Sequence, residues 1–136
     1  MATWTLYSFT ALMLWGFWGM FTKVATGHLG PQKAYLLGII GYLPILGILL
    51  HQTGGRISFH PLGWSTATAA GACTAFGLFF YYRALALGPA SVVVPLTSLY
   101  QVVTVALCWL FLGESLSYRQ MAGLVLAVAA VWLLAE

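Results

Sequence analysis

Charged residues are scarce in this sequence, and aspartate is absent. Only 5% of its 136 residues are charged and 62% are hydrophobic, whereas about a quarter of the residues in an ordinary soluble domain are charged. The only carboxylate side chains belong to Glu114 and Glu136. Because such a chain cannot form the polar surface of a soluble domain, the composition predicts an all-α integral membrane protein.

The groups that enzymes and metal sites need are missing as well. The sequence offers no nucleophile with a neighbouring base and no paired carboxylates. His28, His51 and His60 fall in or beside loops without the spacing of metal ligands, and Cys73 and Cys108 lie in apolar runs, where thiols act as small hydrophobes. The five basic residues are scattered singly, which is not the pattern of a nucleic-acid interface. We therefore expect no enzyme activity, no metal, no cofactor and no nucleic-acid partner.

Apolar runs of about twenty residues, each long enough to cross the hydrocarbon core as a helix, follow one another along the chain. Glycine–proline pairs and short polar segments separate them. The pattern predicts about five transmembrane helices in a single domain covering residues 1–136, and the first run is interpreted as a retained span, not a signal peptide. The predicted spans cover residues 4–26, 33–51, 63–87, 90–112 and 117–135.

The basic residues are divided almost evenly between the two ends of these spans. Arg56 and Arg119 fall on the side of the N-terminus, and Lys23, Lys33 and Arg83 fall on the other. A split of two against three sets no clear orientation by the positive-inside rule, so insertion in both orientations and a fixed orientation both stay open. Two copies inserted oppositely would supply the inverted repeats of a complete transporter.

Three segments carry a resemblance to a known family. They are Leu-Trp-Gly at 14–16, the run YYRALALGPASVVVPLT at 81–97, and LGESLS at 112–117, which is followed by Gln120 and Gly123. Together they resemble the EamA-type domain of the drug/metabolite transporter superfamily, and the likeness extends over essentially the whole chain.

The resemblance implies a function and an architecture. Family members commonly carry ten helices as two inverted five-helix repeats, and this chain looks like one half of such a transporter. The implied function is transport of small metabolites, with the site near the midplane between the two repeats. Together with the charge split, this predicts an antiparallel homodimer that has the site between its subunits and works by alternating access. The implied location is the prokaryotic cytoplasmic (inner) membrane. The chain departs from the family where a proline often follows the aromatic residue of the fourth span, because here Gln101 follows Tyr100.

Several residues are candidates for binding substrate. Thr97, Gln101 and Thr104 share a face of the fourth span, which predicts either a substrate-lining stripe or ordinary hydrogen bonds within and between helices. Lys23 and Arg83, at similar depth, could bind a carboxylate or phosphate of an anion or zwitterion, although long basic side chains at such positions also extend to headgroups. The remaining candidates are Trp15, Trp18, Tyr81, Ser98 and Tyr100.

Other residues are candidates for helix breaks, gating or subunit packing. Pro44 and Pro95 each remove a helix hydrogen bond, and Glu114 is either a gate or a solvated turn residue. Small residues on the fifth span suit close packing in a homodimer; they are Gly123, Ala127 and Ala130. The same face would serve an alternative function, that of a non-transporting subunit or scaffold paired with another membrane protein. With no acid in the first span, proton antiport driven by a carboxylate is not expected.

Overall fold

A computed structural model describes residues 3–55 and 58–135 of the chain. Within these ranges the chain forms helices and turns and no strand, so the predicted all-α fold is confirmed. The α-helices are α1 (Thr3–Leu29), α2 (Pro31–Gly38), α3 (Leu43–Gln52), α4 (Pro61–Leu87), α5 (Ala90–Ser98), α6 (Tyr100–Leu112) and α7 (Tyr118–Ala135). A 3-10 turn (Ile39–Tyr42) joins α2 to α3.

Three helical stretches among the described residues are long and apolar enough to cross a membrane: Pro31–Gln52, Pro61–Leu87 and Ala90–Leu112. α1 has 27 residues and a length of about 40 Å, but its many Thr, Trp and Gly residues are only weakly apolar. α7 holds a shorter apolar run, Tyr118–Leu134. The protein therefore spans the membrane several times, and the count of five, with α1 and α7 included, stays a prediction.

The chain divides into two compact units, Met1–Leu87 and Gly88–Glu136. In the first unit α1, α2 and α4 pack against one another, and in the second α5 packs against α7. The boundary falls at the Gly88-Pro89 pair that separates α4 from α5. The assignment of the whole chain to one domain stays a prediction.

A single residue joins α1 to α2. Gly30 has a φ of 77°, a left-handed conformation that favours glycine, and its N–H donates to the carbonyl of Thr26 at 3.1 Å. Pro31 then opens α2, a position at which the missing proline N–H costs nothing because the first helical N–H groups have no intrahelical partner. The chain therefore turns sharply here, and α2 packs against α1.

The 3-10 turn in the second apolar stretch compensates for Pro44. In a continuous α-helix the N–H of residue 44 would donate to the carbonyl of Ile40, and proline has no N–H. In this structure the N–H of Leu43 donates to the Ile40 carbonyl instead. The tighter helical turn before Pro44 therefore satisfies a carbonyl that would otherwise stay unpaired in the membrane.

A second interruption follows Pro95. α5 ends at Ser98 and α6 begins at Tyr100, and the N–H of Leu99 donates to Leu96 at 3.3 Å. The Ser98 hydroxyl donates to the Pro95 carbonyl at 2.6 Å. The helix is thus interrupted directly before Tyr100 even though Gln101 occupies the position at which the family often has proline.

The first unit buries its few core side chains where α1, α2 and α4 meet. Leu85 of α4 is fully buried, and Tyr82 and Ala34 are almost completely covered. The ring of Tyr82 meets that of Tyr35 edge-on, with centroids 5.5 Å apart. Tyr35 also donates its hydroxyl to the carbonyl of Ala75 at 3.2 Å. These contacts attach α2 to the second half of α4.

The contact between Gly38 and Tyr82 leads to a prediction about stability. A Cβ atom on Gly38 would lie 3.0 Å from the Tyr82 hydroxyl oxygen, so Gly38→Ala requires Tyr82 to move. Gly47→Ala is the matched control, because among the described residues nothing lies within 4 Å of a Cβ there. We expect Gly38→Ala to be less stable than the control by about 1 kcal/mol, measured by SDS-induced unfolding in mixed micelles. Equal unfolding midpoints would contradict this packing.

Candidate functional site

The first unit contains an aromatic contact between two of the predicted substrate-binding residues. The rings of Trp18 in α1 and Tyr81 in α4 are stacked, with centroids 5.1 Å apart and planes inclined by 18°. Beside this stack, a Cβ on the buried Gly19 would lie 3.7 Å from the Tyr81 hydroxyl oxygen, an ordinary contact distance. Trp15 is 62% exposed. The structure therefore brings Trp18 and Tyr81 together and leaves Trp15 on the surface of the unit.

Lys23 connects α1 to the last turn of α4. Its ammonium nitrogen donates to the backbone carbonyl of Leu85 at 2.6 Å, and the side chain is half-buried. The last four carbonyls of a helix have no intrahelical N–H partner, and a cation near a helix C-terminus is stabilised by the helix dipole. Lys23 thus caps α4 from a neighbouring helix.

Arg83 is exposed and has a different neighbour. Its guanidinium carbon lies 5.7 Å from the ring centroid of Phe79, one turn earlier in α4. At about 100° per residue, Arg83 is rotated by roughly 200° from Leu85, whose side chain is fully buried. The structure therefore does not bring Lys23 and Arg83 together as a pair of cations, and their binding of substrate stays a prediction.

Two buried threonines on α1 belong to the same contact region, and the sequence analysis did not select them. Thr22 and Thr26 are each 4% exposed, and the Thr26 hydroxyl donates to the Lys23 carbonyl at 2.9 Å. With Gly19 they follow the spacing i, i+3, i+7 of one helix face. That spacing was the available signal for the buried face of α1. Tyr82, adjacent to the predicted Tyr81, was also missed.

The polar residues of the second unit bond mainly to their own helices. The Thr97 hydroxyl donates to the Val93 carbonyl at 2.8 Å, and the Thr104 hydroxyl donates to the backbone carbonyl of Tyr100 at 3.0 Å. These bonds match the alternative in which the hydroxyls satisfy themselves locally. The candidate side chains of this stripe are all exposed within the unit; they are Thr97, Ser98, Tyr100, Gln101 and Thr104.

Gly113 ends α6 in a left-handed conformation with φ of 68°. The N–H groups of Gly113 and Glu114 both reach the Cys108 carbonyl, and a left-handed glycine directly after the last helical residue is a common way for a helix to end. The Glu114 side chain is exposed. Its gating role stays a prediction.

The small residues proposed for subunit packing lie on one side of α7. Gly123, Ala127 and Ala130 are all exposed, whereas Val131 is 8% exposed.

Among the described residues, no group of three His, Cys, Asp or Glu side chains could hold a metal ion.

Comparison with known proteins assigns the chain a family likeness over nearly its full length. The model of the EamA-like transporter family matches residues 2–135. A protein of Methanocaldococcus jannaschii, named only as an uncharacterized protein, is 36% identical over 99 residues, which cover 73% of this chain and 72% of the relative. No solved structure matches the chain significantly.

The bond from Lys23 to Leu85 leads to a second prediction. Lys23→Met should lower the free energy of unfolding by about 1–3 kcal/mol, because the Leu85 carbonyl loses a charged donor inside the packed unit. Lys33→Met is the matched control, since Lys33 is exposed, and should change stability by less than about 0.5 kcal/mol. SDS-induced unfolding of both variants measures the difference. If the two substitutions cost the same, Lys23 does not hold α4 to α1.

Proposed function

The chain belongs to the EamA-like transporter family, and on that premise we propose that it carries small metabolites across the membrane as an antiparallel homodimer. It is an integral, multi-pass membrane protein, and its partners are the lipid bilayer and a small-molecule substrate. The family match over residues 2–135 is the observation that carries the transport function. The antiparallel pairing rests on the distribution of positive charge.

The position of Lys23 changes the count of charges that orient the chain. Its ammonium is bound to the Leu85 carbonyl inside the first unit, so it is not a headgroup cation for the positive-inside rule. Without Lys23, the split becomes even, with Arg56 and Arg119 on one side and Lys33 and Arg83 on the other. An even split favours insertion in both orientations. The relative from Methanocaldococcus jannaschii has nearly the same length as this chain, since the same 99 residues cover 73% of one and 72% of the other. This agrees with single five-helix repeats that occur as separate chains.

Two oppositely inserted copies would place the substrate site near the midplane between the subunits, where alternating access rocks one repeat against the other. The first unit offers the stacked rings of Trp18 and Tyr81 and the ammonium of Lys23. A carboxylate or phosphate would make a stronger bond with that ammonium than the neutral Leu85 carbonyl makes. These features support an anion or zwitterion as substrate. The second unit offers the exposed amide of Gln101 and the phenol of Tyr100.

The alternative, a non-transporting subunit or scaffold, is supported by the exposed small-residue face of α7. Flux into proteoliposomes separates the two functions. Purified protein alone should accumulate at least one member of a panel of isotope-labelled carboxylates, amino acids and sugar phosphates. If no member moves unless a second membrane protein is added, the scaffold function replaces the homodimeric transporter.

The charge balance leads to a prediction about orientation and assembly. Lys33→Gln and Arg119→Gln remove one headgroup cation from opposite sides, so each variant should insert mainly in one orientation and the two orientations should be opposite. Each variant expressed alone should lose the dimer, and co-expression should restore it as a mixed dimer in native mass spectrometry. A full yield of dimer from either variant alone would exclude the antiparallel pairing.

A further prediction concerns coupling. Residues 1–87 contain no carboxylate, and Glu114 is exposed directly after the C-cap of α6. Glu114→Gln should therefore leave the flux of the transported solute unchanged within about twofold, with or without an imposed pH gradient, because the one acid among the described residues is exposed and is not expected to carry the proton. Wild-type protein in the same vesicles is the control. Loss of gradient-driven flux in Glu114→Gln would establish carboxylate coupling and contradict this account.

A further inference from the structure

The two units differ in charge. Residues 1–87 carry Lys23, Lys33, Arg56 and Arg83 and no Asp or Glu, which gives a formal charge of +4. Residues 88–136 carry Arg119 together with the only two carboxylates, which gives −1. The basic residues of the first unit therefore have no Asp or Glu side chain within that unit to pair with.

Three helix ends lie toward the same end of the first unit. α1 ends at Leu29 and α2 begins at Pro31, so the end of one helix and the beginning of the next are joined by one residue. The bond from Lys23 to Leu85 brings the last turn of α4 to the last two turns of α1. Lys33 lies in the first turn of α2, and Arg83 lies two residues before Leu85. Both cations therefore lie near the common end of the three helices.

We infer that this end of the first unit binds the headgroups of anionic phospholipids through Lys33 and Arg83. Both side chains are exposed, in contrast to Lys23, whose ammonium is bound to the Leu85 carbonyl. The neighbouring His28, in the last turn of α1, is also exposed and adds a polar group. The contact with Phe79 supports the guanidinium of Arg83 beside α4.

The membrane setting selects a lipid phosphate over a soluble anion. Exposed Lys and Arg side chains at the ends of membrane helices extend to the headgroup region. There the phosphates of anionic lipids are at high local concentration, and each nearby cation strengthens binding to an anionic surface by about fivefold. Arginine can bind a phosphate through two parallel hydrogen bonds. This surface does not depend on transport, so its test is independent of the proposed function.

The test measures lipid binding to the purified full chain in a neutral detergent by native mass spectrometry. The wild type should bind phosphatidylglycerol at least about fivefold more tightly than phosphatidylcholine. Lys33→Gln and Arg83→Gln should each reduce that preference by about fivefold, and Arg119→Gln, which removes an isolated headgroup cation of the second unit, should reduce it by less. Equal affinity for the two lipids, or equal losses in all three variants, would overturn the inference.

Two controls separate charge from folding and lipid from soluble anion. The exchanged variant Lys33→Arg with Arg83→Lys keeps both charges and should keep most of the preference for phosphatidylglycerol; loss of that preference would show that charge does not carry it. Soluble glycerol phosphate at millimolar concentration should not displace the bound phosphatidylglycerol. Displacement by glycerol phosphate at that concentration would overturn the lipid assignment and indicate a site for soluble anions.

Discussion

A carbonyl group inside the bilayer that loses its N–H partner must find another donor within the protein, because the hydrocarbon core contains no water to replace it. This chain meets the requirement in several ways. The N–H of Leu43 serves Ile40 before Pro44, the Ser98 hydroxyl serves Pro95, and the ammonium of Lys23 serves Leu85 at the end of α4. Each replacement donor goes with a local feature of the chain. The Leu43 bond belongs to a 3-10 turn, the Ser98 bond to a helix interruption, and the Lys23 bond joins α1 to α4. These bonds fix the local geometry at the two helix interruptions and at the end of α4.

The Lys23 clamp joins the fold to the proposed function. It removes one cation from the count that orients the chain, and in the predicted five-span topology two basic residues then remain on each side. It also places a charged donor at Leu85, which is four residues or about 6 Å along α4 from Tyr81, whose ring stacks on that of Trp18. A single side chain thus stabilises the packing of the first unit, supports the proposal of dual insertion and supplies the group that would attract an anionic substrate.

The sequence predicted the helices well and the positions of individual side chains less well. Runs of apolar residues bounded by Gly30-Pro31, Gly88-Pro89 and Gly113 are local signals, because glycine and proline restrict or release backbone angles wherever they occur. The partner of Lys23 could not be predicted, since it depends on how α1 and α4 are rotated against each other. The sequence placed the helix break at Pro95, but the helix is interrupted at Leu99, because the side-chain bond there could not be predicted either. The Ser98 hydroxyl donates to the Pro95 carbonyl, and the N–H of Leu99 donates to the Leu96 carbonyl instead.

The central claim, insertion of one chain in both orientations, is tested most directly by labelling single cysteines from each side of the membrane. In a background without Cys73 and Cys108, His28→Cys marks the end of the first predicted span and Thr53→Cys follows the second. His28 is preferable to Gly30, whose φ of 77° makes a cysteine strained there. The account predicts that each site is labelled in part from both sides in intact cells. Labelling of each site from one side alone would contradict it.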